Sequence, residues 1–285
     1  MKHAYLIMAH NEWDMLNKLI QALDYPNNDI YLHIDKKADL KKVNIYKTKY
    51  SKVFLQKRMV INWGGHSQIK CVLIMLQKAR KKEYDYYHLL SGVDIPLKRQ
   101  SEIHDFFEKN KGKNFLEFDK KIDYSKTRLR EYHWFQELIG RNKGIVPEIF
   151  YRVEKMSIFV QKKLGVNRLK NAEWEIFKGE HWFSITKELV DEIIKNKSKI
   201  RKTFYYAICA DEMYIQTVAM NSYLAESVVE DNLRFIDWNR GTPYIFRSND
   251  YDELCSSSKL FARKFSSGID KEIIECLYKR LQLVC

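Results

Sequence analysis

An α/β architecture, with a Rossmann-like, mostly parallel sheet flanked by helices, follows from three observations in the first hundred residues. Short apolar runs of strand length alternate with amphipathic stretches of helix length. The connections between apolar runs are long enough for right-handed crossovers. Polar residues also gather where such runs end, which is where open α/β sheets bind ligands.

Ala4–Met8 is short and apolar, as a buried strand requires. Asn11 is placed to cap a helix over Glu12–Ala22, whose Leu16, Leu19 and Ile20 share one face. Asp24-Tyr25-Pro26-Asn27-Asn28 is turn chemistry, and Ile30–Ile34 is the second strand. Val53–Leu55, an amphipathic helix over Ser67–Ala79, and Tyr86–Leu90 continue the alternation, which Ser91-Gly92 stops. Residues 119–178 are basic and aromatic-rich, an insertion over the ligand edge followed by a helix over Ile149–Leu164. Strand character returns at His181–Ile185, helix at Lys187–Lys195, and a closing helix covers Lys271–Leu283. With no repeat, low-complexity tract or linker, residues 1–285 are expected to form one domain, its nucleotide-binding half at 1–118 and its catalytic half at 119–285.

Composition narrows the partners. At 45% hydrophobic and 14% aromatic residues, with only 10 Gly and 4 Pro, the chain is globular rather than disordered or collagen-like. Its net charge of +13 suits nucleic acid, an anionic membrane surface or a phosphorylated substrate. The cations are scattered (Lys36-Lys37, Arg80-Lys81-Lys82, Lys162-Lys163), and zinc-finger spacing and RNA-binding aromatic motifs are lacking, so nucleic acid is not the expected partner. Five Cys without a CxxC fit a reducing compartment, and no run approaches the roughly 18 apolar residues of a membrane span. A cytoplasmic protein is expected, touching the inner face of the membrane peripherally through its basic surface.

The candidate chemistry lies at the strand ends and in the last third. His10, Asp35 and Asp94 follow strands one, two and four, where a carboxylate or imidazole meets a nucleotide. Gly92 would let the backbone approach a ligand closely. Glu212 in Ala210-Asp211-Glu212-Met213 is a candidate base, with Arg240 and Lys264 as fixed cations downstream. A base with two immobile positive charges suits group transfer from a diphosphate leaving group. The expected metal-binding Asp-x-Asp is missing near the fourth strand, and Asp250-Tyr251-Asp252 reads as acidic residues in a first helical turn.

These residues recur as an ordered set: His88–Lys98, Lys178–Thr186, Ala210-Asp211-Glu212-Met213, Leu233–Trp238 and Leu260–Phe265. The set resembles the core-2/I-branching glycosyltransferase family, which also includes peptide O-xylosyltransferases. The resemblance implies a GT-A-type fold, a UDP-sugar donor, a glycan or lipid-linked glycan acceptor, and inversion at the anomeric carbon without a metal or other cofactor. It further implies Glu212 as the base, Lys264 with Arg240 or its rival Arg247 on the diphosphate, and His10, Asp35 and Asp94 on the nucleotide side. Glu117 and Trp238 would meet the acceptor, and Arg128, in a stretch that departs from the family pattern, is a further acceptor candidate. N-acetylglucosamine is the sugar implied first, with xylose or a hexose as alternatives. A glycan- or nucleic-acid-binding protein without catalysis is the reading from a different class.

Overall fold

Alternating burial on β1 (His3–Ala9) explains how the core divides. Ala4 and Leu6 face one apolar cluster while Tyr5 and Ile7 face another on the opposite side of the sheet. β1 is an interior strand of the main sheet in a computed structural model that describes residues 1–119, 128–141, 144–170, 172–241 and 243–282. It pairs in parallel with β2 (Asn28–Ile34) and with β4 (Tyr86–Ser91), so that Leu6 stands between Tyr31 and Leu89. A strand paired on both edges and covered on both faces reads as a continuous apolar run, which is why this part of the fold is plain in the sequence.

β3 (Lys52–Leu55) extends the parallel half, and β6 (Asn114–Phe118), β7 (Gly179–Thr186) and β8 (Val228–Glu230) complete the order β3-β2-β1-β4-β7-β6-β8. β7 runs antiparallel to both of its neighbours, while β6 and β8 are parallel. A second sheet is built from β5 (Ile95–Pro96), β9 (Arg234–Ile236) and β10 (Phe261–Arg263), in the order β5-β10-β9. Arg234 ties the two sheets together. Its buried guanidinium donates to Ser184 Oγ at 2.8 Å, Leu89 O at 3.0 Å and Phe183 O at 2.7 Å. Burial lowers its pKa to about 10, so these bonds keep a cation in the interior.

The helices pack as their patterns require. α1 (Trp13–Leu23) buries Met15, Leu16, Leu19, Ile20 and Leu23, and α2 (His66–Ala79) buries Ile69, Val72, Leu73 and Leu76. α3 (Gln100–Lys109) buries only Gln100, Ile103 and Phe107, too weak a stripe to be visible in the sequence. α4 (Ile145–Lys163) begins four residues before the expected start, and α5 (Lys187–Lys195) is capped by Thr186 Oγ1, which accepts from Leu189 N. α6 (Tyr214–Met220) and α7 (Lys271–Gln282) follow; of the expected closing helix, Leu283 lies outside the described residues.

Two local expectations are corrected. Asn11 does not cap α1: Glu12 takes the N-cap position with φ of 55°, and no side chain caps the helix. The Glu12 carboxylate reaches across to Ser266 Oγ at 2.8 Å, tying the end of β1 to the segment after β10. Gly92 does not open space for a ligand. A Cβ there would lie 3.0 Å from Ala9 Cβ, so its smallness serves the packing of β4 against β1.

Candidate active site

The C-terminal ends of β1, β2, β4, β6, β9 and β10, with the N-terminal end of antiparallel β7, converge on one edge. Every sequence-selected residue lies on or just beyond this edge or on the loops crossing it.

Glu212 ends a short 3-10 turn, Ala210–Glu212, entered through Cys209 at φ 50°. Its Oε2 accepts from Arg128 Nη1 at 2.6 Å and lies 3.9 Å from Lys178 Nζ. Lys178 in turn pairs with Asp119 Oδ2 at 2.6 Å. Burial, reinforced by neighbouring Asp211, raises the Glu212 pKa, and the Arg128 guanidinium opposes that rise. The result is a partly desolvated carboxylate whose ionised form is favoured by Arg128 and, more weakly, by Lys178, which suits a general base.

Beside it stands Glu180, on β7. Its Oε1 accepts from Trp238 Nε1 at 2.6 Å, and Asn232 Nδ2 donates to its other oxygen. Burial raises the Glu180 pKa, and repulsion from Glu212 adds to the rise. Glu117, at the end of β6, is also raised, by burial and then by Glu180. Trp238 is 53% exposed, so its ring offers a face to a ligand while its N–H is anchored. The sequence-selected acceptor residues Glu117 and Trp238 are therefore brought together, with Glu180 as their shared partner.

The cationic end is Arg263-Lys264. The Arg263 guanidinium lies 3.7 Å over the Trp182 ring, and its Nη1 is buried without a hydrogen bond, 3.8 Å from Asp94 Oδ1. Lys264 is half-buried, and its ammonium has no ion pair among the described residues. Burial and the adjacent Arg263 lower its pKa. His10 is lowered by burial, while Asp35 opposes the shift and Lys264 adds to it, so these three groups share one electrostatic neighbourhood. Asp35 ends β2 and accepts from Lys37 N at 2.8 Å.

Two selected residues sit elsewhere in the chemistry. Asp94 is fully buried. It accepts from Ser91 N at 2.9 Å and Ser91 Oγ at 2.6 Å, shaping the turn after β4 and facing Arg263. Arg240 is surrounded by three carboxylates: Asp237, Asp250 at 2.6 Å and Glu253 at 3.1 Å. Its charge is already compensated, so Asp250 serves as a structural partner. Arg247 is exposed, and its side chain makes no hydrogen bond among the described residues. Arg263 and Glu180 were not selected from sequence, although both stand inside recognised motifs, beside Lys264 and His181. Among the described residues no three His, Cys, Asp or Glu side chains gather as metal ligands would.

The sequence profile described as Core-2/I-Branching enzyme matches residues 3–257. The chain is 26% identical over 303 aligned residues to Xylosyltransferase 2 of Canis lupus familiaris and 25% identical to Xylosyltransferase 2 of Homo sapiens. Each alignment covers 96% of this chain and 33% of the relative, so the chain spans about a third of the length of the curated relatives it matches. Among solved structures, mouse Xyloside xylosyltransferase 1 in its apo form aligns over 91% of this chain and 97% of that one, at 11% identity and a TM-score of 0.38.

Proposed function

The chain belongs to the Core-2/I-Branching enzyme family, and from that premise we propose a UDP-sugar-dependent glycosyltransferase of GT-A type. It transfers one sugar, with inversion and without a metal, to a hydroxyl of a glycan acceptor in cell-surface polysaccharide synthesis. The observation that carries this reading is the pairing of opposites on one sheet edge: a desolvated, Arg128-held Glu212, and the cations Lys264, without an ion pair among the described residues, and Arg263, which faces Asp94 only across 3.8 Å.

In this mechanism Glu212 removes the proton of the acceptor hydroxyl as its oxygen attacks the anomeric carbon from the face opposite UDP. The bond to the β-phosphate oxygen breaks in the same step, and its electron pair stays with UDP. Lys264 and Arg263 stabilise the negative charge that develops there, Arg263 replacing Arg240 in the role first considered. His10 and Asp35 lie on the nucleotide side, Glu117, Glu180 and Trp238 on the acceptor side. Holding both reactants on one edge contributes through proximity.

The names of the relatives favour a second reading of the donor, UDP-xylose in place of UDP-N-acetylglucosamine. A panel of UDP-sugars in EDTA, read by UDP release and thermal shift, tests both. Stabilisation by UDP and turnover of one donor are expected, with Glu212→Gln losing turnover but keeping the UDP shift. Lys264→Ala should weaken both; unchanged turnover in that variant removes Lys264 from the mechanism. No shift with any nucleotide would sink the transferase reading and favour a non-catalytic glycan-binding protein.

A further inference from the structure

Helix α4 is built inside out. Its buried side chains are the polar Glu154 and Gln161. Gln161 accepts from Tyr132 N at 2.7 Å and donates to Tyr132 O at 3.0 Å, and Glu154 accepts from Phe135 N at 3.3 Å. Its outward side chains are apolar. Ile145, Ile149, Val153, Met156 and Val160, with Leu164 just past the end, are between 45% and 81% exposed. At roughly 100° per residue these six fall within an arc of roughly 100°, a continuous stripe along the whole helix. A stripe of this size on a water-facing helix marks a surface meant to be covered.

The charges around it are mainly positive. Arg152, Lys155, Lys162 and Lys163 are exposed on the helix; Arg152 pairs with the exposed Glu148 at 3.1 Å, which leaves the three lysines as the net charge. The Lys155 ammonium lies 4.5 Å from the Tyr151 ring and that of Lys163 5.7 Å from the Phe159 ring. Long basic side chains lying along apolar surface, with their heads free to reach outward, suit a boundary between hydrocarbon and phosphate. No helix of the described residues is long and apolar enough to cross a membrane, so a bilayer could meet α4 only at its surface.

We propose that α4 docks this protein flat on an anionic lipid bilayer. The apolar stripe enters the boundary between headgroups and acyl chains, and Lys155, Lys162 and Lys163 sit at the level of the lipid phosphates. A second copy of the chain would cover the stripe equally well but would bring two cationic flanks together, whereas anionic lipid complements them. The docking stands independently of the transferase reading. Combined with it, docking has a consequence for substrate class. The Tyr132–Phe135 segment that α4 grips continues from Arg128, the partner of Glu212, so docking through α4 would hold the site near a membrane surface, which suits a lipid-anchored glycan as acceptor.

The test is vesicle flotation of the full chain without sugar nucleotide, using phosphatidylcholine alone and phosphatidylcholine mixed with phosphatidylglycerol. The chain should float with the anionic vesicles only, and less in high salt. The Ile149→Asp/Met156→Asp/Val160→Asp variant and the Lys155→Glu/Lys162→Glu variant should each lose at least about tenfold in partitioning. Both should keep their thermal midpoint and UDP-induced shift, since the altered side chains are exposed. No flotation with anionic vesicles, or flotation undiminished in both variants, overturns the proposal. So does a dimer in sedimentation equilibrium that the triple aspartate variant dissociates while vesicle binding persists. Loss of the UDP shift with flotation intact would fail the transferase reading alone.

Discussion

Replacing Arg128 by Met keeps the stem and removes the nearer of the two cations that favour an ionised Glu212. The pair is 2.6 Å apart, with the two side chains 31% and 32% exposed. Charge centres roughly 4 Å apart at an effective dielectric near 20 attract by about 4 kcal/mol. Solvent screening of a partly exposed pair reduces this to about 1 kcal/mol. Burial and Asp211 already push the Glu212 pKa up, so removing Arg128 lets it rise further, and the base is protonated over more of the acidic range. At about 1.4 kcal/mol per pH unit, the acid limb of kcat/KM should move to higher pH by a fraction of a unit, since Lys178 remains nearby. The assay is UDP release in the presence of acceptor across pH 5 to 9, with Arg128→Lys expected to restore most of the original profile. A rate that falls equally at every pH, with the acid limb in place, would refute Glu212 as the titrating base and leave Arg128 a substrate-binding role.

Three further outcomes follow from the geometry. Arg240→Gln should lower the thermal midpoint by releasing Asp237, Asp250 and Glu253 while leaving the UDP-induced shift unchanged; a lost UDP shift would return Arg240 to the diphosphate. Asp211 is buried and its pKa is raised to about 6, so its contribution to stability is greatest below the unfolded value near 4 and is lost as pH rises through 6. Asp211→Asn should therefore match the parent near pH 4 and gain up to about 3 kcal/mol by pH 7 in urea unfolding; a difference constant with pH would contradict the buried charge. His181, lowered by burial to about 4, acts in the opposite sense over the same range, so the parent's own profile is flatter than either group alone would make it. Gly179→Ala would set a Cβ 1.7 Å from the Glu117 carbonyl oxygen, and should cost about 3 kcal/mol or more or abolish folding. Wild-type stability for that variant would mean that β6 and β7 are paired differently.

The parallel half of the sheet was legible in the sequence, because β1, β2 and β4 are buried on both faces and are apolar over most of their length. The pattern also placed His10 and Asp35 on one edge, since residues that follow parallel strands leave the sheet on the same side, whereas Glu212, in a turn between helices, and Lys264, after β10, reach that edge only through the tertiary fold. The second sheet was not legible. β5, β9 and β10 are two or three residues long, and their partners are distant in the chain. Nor was the division of labour among the cations. Arg240 and Arg263 are both arginines in plausible motifs, and only the packing surrounds one with three carboxylates and lays the other on Trp182 beside Lys264. The reversed polarity of α4 belongs to the same class: the pattern marks an amphipathic helix, but which face the protein buries depends on what stands across from it. Apolar burial along a strand is dictated locally, whereas the charge a side chain offers a ligand is what remains after its tertiary partners have been counted.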